Sequence, residues 1–262
     1  MPEVQSHPYF LNPKKINPDN PLFVFLPGMD ESIKLALLQV ASVETAFDVY
    51  SLVIQPEVED GWDILCQRVI ALTQAELERV PRQSAYLCGE SFGGCLALKV
   101  IVKAPKLFER IILVNPASSF NRRPWIRWGS ILTRWLPERL YQMTSVLFLP
   151  FLASVRRMTP TARQTLLESV RSVPLKTSLQ RLSLMRDFDI DEKQLYQCTK
   201  PVLLIASKGD RLLPSLAETK RLAKIFSNSR VVTLPHSGHA CLLETDVNLS
   251  KIMQSENFLD NL

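Results

Sequence analysis

Long apolar runs are missing from this chain of 262 residues. A membrane-spanning helix needs about 18 or more consecutive apolar residues, and the longest candidate, VLFLPFLASV at 146–155, is too short and contains Pro150. The first residues are polar and rich in proline, without the hydrophobic core of a secretory signal. We therefore expect an irregular lead-in over 1–21 and a cytoplasmic protein, at most peripheral to an internal membrane.

Metal-ligating residues are also scarce. The chain has three histidines and five cysteines, and no spacing among them resembles a zinc site. An odd number of cysteines without a secretory signal favours reduced thiols over disulfides. We predict no metal and no cofactor. The net charge of +5 is modest, and nothing beyond this charge indicates nucleic-acid binding.

Short apolar runs alternate with longer amphipathic segments along most of the chain. The runs are LFVFL (22–26), VYSLVI (49–54), SAYLC (84–88), RIILV (110–114), PVLLIA (201–206) and RVVTL (230–234). The amphipathic segments lie at 33–46, 61–80, 92–103, 215–227 and 240–256. Unbroken apolar runs are typical of strands covered on both faces. The alternation predicts an α/β fold with a mostly parallel sheet and helices on both faces.

One interval interrupts this alternation. Between Val114 and Pro201 the sequence has no strand pattern, and a structureless loop of about 85 residues is implausible within a compact domain. We predict an inserted helical cap over 117–199, with the α/β core formed by 22–116 and 200–262.

A serine between glycines follows the third apolar run. Gly89-Glu90-Ser91-Phe92-Gly93 fits G-x-S-x-G after a predicted strand and before a predicted helix, which is the context this motif requires. Small neighbours let strand and helix approach closely, so that Ser91 is exposed as a nucleophile and the Phe92 amide can stabilise an oxyanion. The alternative is a glycine-rich turn with an incidental serine.

A serine nucleophile needs a base and an orienting acid, which follow in the order Ser, Asp/Glu, His when the serine lies on such a turn. Asp210 follows the strand PVLLIA, and His239 lies in the loop after RVVTL. Alternatively, Asp210 is a turn or capping residue and His239 a loop histidine. His236 competes with His239 for the role of base, whereas nothing favours His7.

The second oxyanion donor is expected in the loop after the first strand, FVFLPGMDES. Gly28 permits the turn and is a candidate substrate-binding residue. The backbone amide of Met29 is the candidate donor.

These residues resemble the α/β-hydrolase superfamily over about 22–255. More narrowly, FVFLPGMD, GESFGGCLALKV, ILVNPASSF, GDRLLPS and SGHACLLE are similar to the hydrolase-like part of the phytyl ester synthase/esterase-lipase-thioesterase group of plastids and cyanobacteria. The resemblance implies an α/β-hydrolase fold with an inserted helical cap. It also implies chemistry on long-chain esters: acyl lipids, thioesters, or phytyl and carotenoid esters.

The cap begins with an arginine- and tryptophan-rich segment that is predicted to be helical from Pro124. One face carries Trp125, Trp128, Leu132 and Trp135, and the opposite face carries Arg123, Arg127 and Arg134. In one interpretation this is an ordinary cap helix packed over the site, with Trp125 and Trp128 binding substrate. In the other, the helix also contacts an anionic membrane.

Three functions are compatible with the sequence. The first is hydrolysis of an apolar ester or thioester through an acyl-enzyme on Ser91. The second is transfer of the acyl group to an alcohol such as phytol by the same residues. The third is non-catalytic lipid binding, against which the complete set of Ser91, Asp210 and His239 argues.

Overall fold

A computed structural model describes residues 7–13, 15–29, 33–82, 84–122 and 149–259. The strands are β1 (Tyr9–Leu11), β2 (Leu22–Leu26), β3 (Asp48–Val53), β4 (Ala85–Glu90), β5 (Arg110–Val114), β6 (Val202–Ser207) and β7 (Ser229–Leu234). The helices are α1 (Ile33–Val40), α2 (Trp62–Arg79), α3 (Phe92–Lys103), α4 (Leu149–Leu152), α5 (Pro160–Ser172), α6 (Leu175–Arg186), α7 (Glu192–Tyr196), α8 (Ser215–Ile225) and α9 (Leu249–Ser255).

The strands form one sheet in the order β1-β3-β2-β4-β5-β6-β7. Every neighbouring pair from β3 to β7 is parallel, and β1 is antiparallel to β3. Strands β2 to β7 begin and end within two residues of the predicted apolar runs. The predicted α/β architecture with a mostly parallel sheet is therefore confirmed.

Two apolar layers cover the sheet. Leu87 and Leu113 point to a layer that includes residues of α2, α3 and α8. Tyr86 and Ile112, the preceding residues of the same strands, point to a second layer that includes residues of α1 and α9. Because side chains alternate along a strand, covering both faces requires apolar residues at successive positions. This explains the unbroken apolar runs.

The lead-in differs from the prediction of an irregular segment over 1–21. Residues Tyr9–Leu11 pair with β3 and extend the sheet by one strand. Phe10 is buried, and its ring lies 6.0 Å from that of Tyr50. A strand of three residues with one buried side chain is too short to show the alternation by which a strand is recognised in a sequence.

The described part of the insertion, 149–199, is helical and contributes no strand to the sheet. It is anchored to the core, since the Trp62 indole on α2 donates a hydrogen bond of 2.8 Å to the Leu184 carbonyl on α6. The exact limits of the cap stay a prediction. The residues of the predicted tryptophan- and arginine-rich helix lie outside the described residues: Trp125, Trp128, Leu132, Trp135, Arg123, Arg127 and Arg134.

All five cysteines fall within the described residues and are buried free thiols. Burial raises the pKa of the Cys66 thiol to about 11, so this group stays protonated at neutral pH. The described residues contain no cluster of three or more His, Cys, Asp or Glu suited to a metal ion. None of their helices is both long and apolar enough to span a membrane.

Candidate active site

Ser91 occupies a sharp turn between β4 and α3. Its φ of 52° and ψ of −112° lie in a region that side-chain-bearing residues rarely adopt. Two backbone hydrogen bonds of 3.0 Å hold the turn, one from the Ser91 amide to Val114 and one from Ala117 to the Ser91 carbonyl. The strained conformation therefore persists because surrounding main chain fixes it.

Glycines make the close packing at this turn possible. A Cβ atom at Gly93 would lie 1.9 Å from the Leu26 carbonyl oxygen, and one at Gly89 would lie 2.5 Å from the Gly93 carbonyl oxygen. Both distances are far below van der Waals contact. The two glycines of the motif therefore allow α3 to start directly against the ends of β2 and β4.

The structure brings Ser91, His239 and Asp210 together, as expected from their order in the chain. His239 Nε2 lies 2.8 Å from Ser91 Oγ, and His239 Nδ1 lies 2.7 Å from Asp210 Oδ2. Each residue follows the end of a different parallel strand, β4, β6 or β7, so all three meet at one edge of the sheet. With its proton on Nδ1, the imidazole can accept the Ser91 proton on Nε2.

Asp210 is held as a carboxylate by several donors. Its Oδ1 accepts hydrogen bonds from the amides of Leu212 and Leu213 at 2.8 and 2.9 Å, and its Oδ2 accepts one from the Ser215 hydroxyl. Burial by itself raises the pKa of Asp210, but His239 and these hydrogen bonds outweigh it and lower the pKa below its ordinary value. Asp210 is therefore ionised near neutral pH.

Two buried residues that the sequence did not single out as site residues hold the loop of His239. The Asn115 side chain donates to the His239 carbonyl at 2.7 Å, and its own φ is 43°. The Glu244 carboxylate accepts from the Gly238 amide at 2.7 Å and pairs with Arg157 of the insertion at 2.8 Å. Both lie in segments quoted above for their resemblance, ILVNPASSF and SGHACLLE, but the sequence alone assigns neither residue a role.

The other two histidines lie on the surface. His236, the competitor for the base, is exposed, as is His7, whereas His239 is buried beside Ser91. Of the three, His239 alone contacts a serine and a carboxylate in the described part of the chain.

The two predicted oxyanion donors flank Ser91. Phe92 is the first residue of α3, where helix amides lack partners within the helix. Met29 follows β2 and lines the same pocket as Ser91. Neither amide donates a hydrogen bond to another group among the described residues. Both are thus available to a substrate oxygen, and their role stays a prediction.

A pocket opens in front of Ser91, with about 710 Å³ of atom-free space including its mouth. Its walls are mostly apolar and include Gly28, whose part in substrate binding stays a prediction. The apolar side chains that line it are Met29, Leu35, Phe120, Leu152, Leu166, Val170, Leu182, Met185, Leu212, Leu213 and Ala240. Two buried polar side chains also line the pocket: the Gln39 amide donates a hydrogen bond of 2.7 Å to the Glu90 carboxylate.

Residues 58–246 match the model of a hydrolase family that is described as serine aminopeptidase, S33. The chain belongs to this hydrolase family. The match includes Ser91, Asp210 and His239 and spans the described part of the insertion.

Two curated relatives of this chain have names that refer to an ester. The chain is 30% identical over 259 residues to phytyl ester synthase 1, chloroplastic, of Arabidopsis thaliana, covering 90% of this chain and 37% of the relative. It is 29% identical over 182 residues to a pimeloyl-acyl-carrier-protein methyl ester esterase of Nitrosomonas europaea, covering 66% and 70%. The resemblance to the phytyl ester synthase group is confirmed, although the chain spans less than two fifths of that relative's length.

The fold of this hydrolase matches solved structures. An α/β-hydrolase enzyme from a Medee basin deep-sea metagenome library superposes with a TM-score of 0.76 at 18% identity, covering 97% of this chain and 95% of the other. The predicted α/β-hydrolase fold is therefore confirmed. Together, the family and its esterase-type relatives support an ester hydrolase or acyltransferase.

Proposed function

We propose that this protein is a serine hydrolase of apolar long-chain esters or thioesters. The observation that carries the proposal is the chain of contacts from Asp210 through His239 to Ser91, at the end of an apolar pocket. A hydroxyl, a base and an ionised acid in this order are the parts needed for nucleophilic catalysis. The apolar walls favour an acyl or prenyl chain as the bound group.

The reaction follows from these positions. His239 Nε2 accepts the proton of Ser91 as Oγ attacks the ester carbonyl, and Asp210 stabilises the resulting imidazolium. The carbonyl oxygen gains negative charge, for which the amides of Met29 and Phe92 are the proposed donors. His239 then protonates the leaving alcohol or thiol, which leaves an acyl-enzyme on Ser91. A water molecule activated by His239 releases the acid.

The nucleophile is tested by labelling with a fluorophosphonate probe. Wild type is expected to be labelled and to hydrolyse p-nitrophenyl esters, while Ser91→Ala loses labelling and about 10³-fold or more of its turnover. Ser255→Ala is the matched control, because its exposed hydroxyl only caps a carbonyl on α9. A folded Ser91→Ala protein that is labelled like wild type would disprove the assignment and favour non-catalytic lipid binding.

The substrate class is tested by varying acyl chain length. Each buried methylene contributes about 0.8 kcal/mol, or roughly fourfold in kcat/KM, until the pocket is filled. We expect kcat/KM to rise from acetate to decanoate esters. A Met185→Asn variant, which makes the wall polar, should flatten this rise while leaving acetate turnover within about threefold. Equal kcat/KM for acetate and decanoate esters would contradict an apolar chain site.

Acyl transfer is the second candidate, and the relative named phytyl ester synthase 1 favours it. The same acyl-enzyme would react with an alcohol in place of water if the pocket binds the alcohol. Adding phytol to the wild-type reaction and measuring phytyl ester against free acid by mass spectrometry gives the partition. Free acid alone, at saturating phytol, supports hydrolysis.

Contact with an anionic membrane through Arg123, Arg127 and Arg134 also stays a proposal. It is tested by co-sedimentation with vesicles containing phosphatidylserine at low and physiological salt. Replacing the three arginines with glutamine should reduce pelleting at low salt. Equal pelleting of the triple variant and wild type supports an ordinary cap.

A further inference from the structure

Arg181 is a buried arginine that joins the inserted helices to the loop carrying Met29. It lies on α6 with only 7% of its surface exposed. One guanidinium nitrogen, Nη1, donates to the Met29 carbonyl, and the other, Nη2, donates to the Ile54 carbonyl at 2.9 Å. A single planar cation therefore connects the segments that follow β2 and β3.

The Met29 carbonyl matters because of the amide on the same residue. The Met29 carbonyl and amide belong to two successive peptide planes that share the Met29 Cα atom, so anchoring the carbonyl fixes one plane and leaves only the φ and ψ of Met29 to direct the amide. Gly28, just before it, has no Cβ atom and imposes little restraint of its own. A donor to an oxyanion must point to where charge develops, within a few tenths of an ångström.

We propose that Arg181 is a positioning residue for the oxyanion hole, which orients the Met29 amide toward the reacting carbonyl oxygen. This inference rests on the proposed serine chemistry. The plain alternative is that Arg181 only attaches α6 to the core. However, α6 has two further attachments: the Thr177 hydroxyl donates to Pro56 at 2.9 Å, and the Trp62 indole donates to Leu184. The helix is therefore held without the bond to Met29.

The test compares ligands that do and do not develop an oxyanion. A long-chain trifluoromethyl ketone adds to Ser91 and places an oxyanion in the hole, whereas the non-fluorinated ketone of the same length only fills the pocket. The measurement is the inhibition constant of the non-fluorinated ketone divided by that of the trifluoromethyl ketone. This ratio is determined for wild type, Arg181→Met and Arg181→Lys. Arg186→Met is the matched control on the same helix, since Arg186 pairs with Asp187 at the surface.

In Arg181→Met we expect the ratio and kcat to fall together by about 10- to 100-fold, with KM within about threefold, because a misplaced donor costs less than the 10²–10³-fold of a deleted one. Arg181→Lys can reach only one of the two carbonyls, so its ratio should be intermediate. This variant decides the question if Arg181→Met does not fold. Arg186→Met should match wild type.

Two results would overturn the inference. One is an unchanged ratio in Arg181→Met, or in Arg181→Lys if only that variant folds. Equal weakening of both ketones is one form of this result and marks a purely structural role. The other result is an equal rate of fluorophosphonate labelling in wild type and Arg181→Met. Fluorophosphonate labelling separates the two proposals, since it needs no ester turnover. An unlabelled wild type contradicts the serine chemistry and the inference with it, whereas equal labelling rates in wild type and Arg181→Met contradict the inference alone.

Discussion

The two edges of the parallel sheet each bury a carboxylate against a basic side chain. At the carboxyl ends of the strands, Asp210 contacts His239 at 2.7 Å. At the amino ends, Asp48 contacts Arg82 at 2.8 Å, with almost no exposed surface on either side chain. In burial and distance the two pairs are alike.

They differ in what else their atoms contact. Asp48 also accepts from the Asn17 amide, and Arg82 also donates to the carbonyls of Asn17 and Asn20, so this pair binds the lead-in to the sheet. His239, by contrast, directs its second nitrogen to the Ser91 hydroxyl in an open pocket. A buried contact between a carboxylate and a basic side chain therefore marks a candidate site only where one member also contacts a hydroxyl in an open pocket. The following variants test this contrast.

The largest effect is expected from His239→Ala. Without the base, kcat/KM should fall by about 10⁴-fold or more. The matched control is His236→Ala, three residues earlier in the chain (239 minus 236) and on the surface, which should stay within about threefold of wild type. Steady-state hydrolysis of a decanoate ester measures both, and an equal loss in the two variants would show that the base is misassigned.

Removing the charge of Asp210 should have the next largest effect. In Asp210→Asn the amide no longer stabilises the imidazolium or selects its tautomer, and we expect kcat to fall by about 10³-fold. Asp48→Asn is the isosteric change at the other edge and should leave kcat within about threefold. If Asp48→Asn lowers kcat as strongly as Asp210→Asn in folded samples, the two edges are not functionally distinct.

Arg82→Met should show the converse behaviour, with a loss of stability and little loss of activity. Removing one member of a buried pair leaves the Asp48 charge uncompensated, which costs about 3 kcal/mol in the free energy of unfolding. Lys176→Met, whose partner Glu59 is on the surface, should cost less than about 1 kcal/mol. Urea unfolding measures both, and equal values would mean that the Arg82 pair contributes no more than a surface pair.

The sequence predicted one edge of the sheet far better than the other. Ser91, Asp210 and His239 each follow an apolar run, and parallel strands bring such positions to one edge. Asp48 and Arg82 are separated by 34 positions (82 minus 48) without any motif, so only the folded chain pairs them. Residues that act through a neighbour, such as Asn115, Glu244 and Arg181, were missed for the same reason. The groups that they contact near the site are backbone groups, which carry no sequence pattern.

The smallest expected effect is on the pH dependence of stability. The pKa of Asp210 is lower in the folded protein than its ordinary value of about 3.9 in an unfolded chain. Its carboxylate therefore stabilises the fold above that ordinary value, and the contribution is lost as pH falls through the lower, folded-state pKa. We expect the difference in unfolding free energy between wild type and Asp210→Asn to be present near pH 7 and to shrink toward about pH 3. Urea titrations across this range measure it, with Ser255→Ala as a control that should show no such change. A difference that grows on acidification would mean that the folded protein disfavours the Asp210 carboxylate. The Asp210 and Asp48 pairs would then differ only in the contact that His239 makes with Ser91.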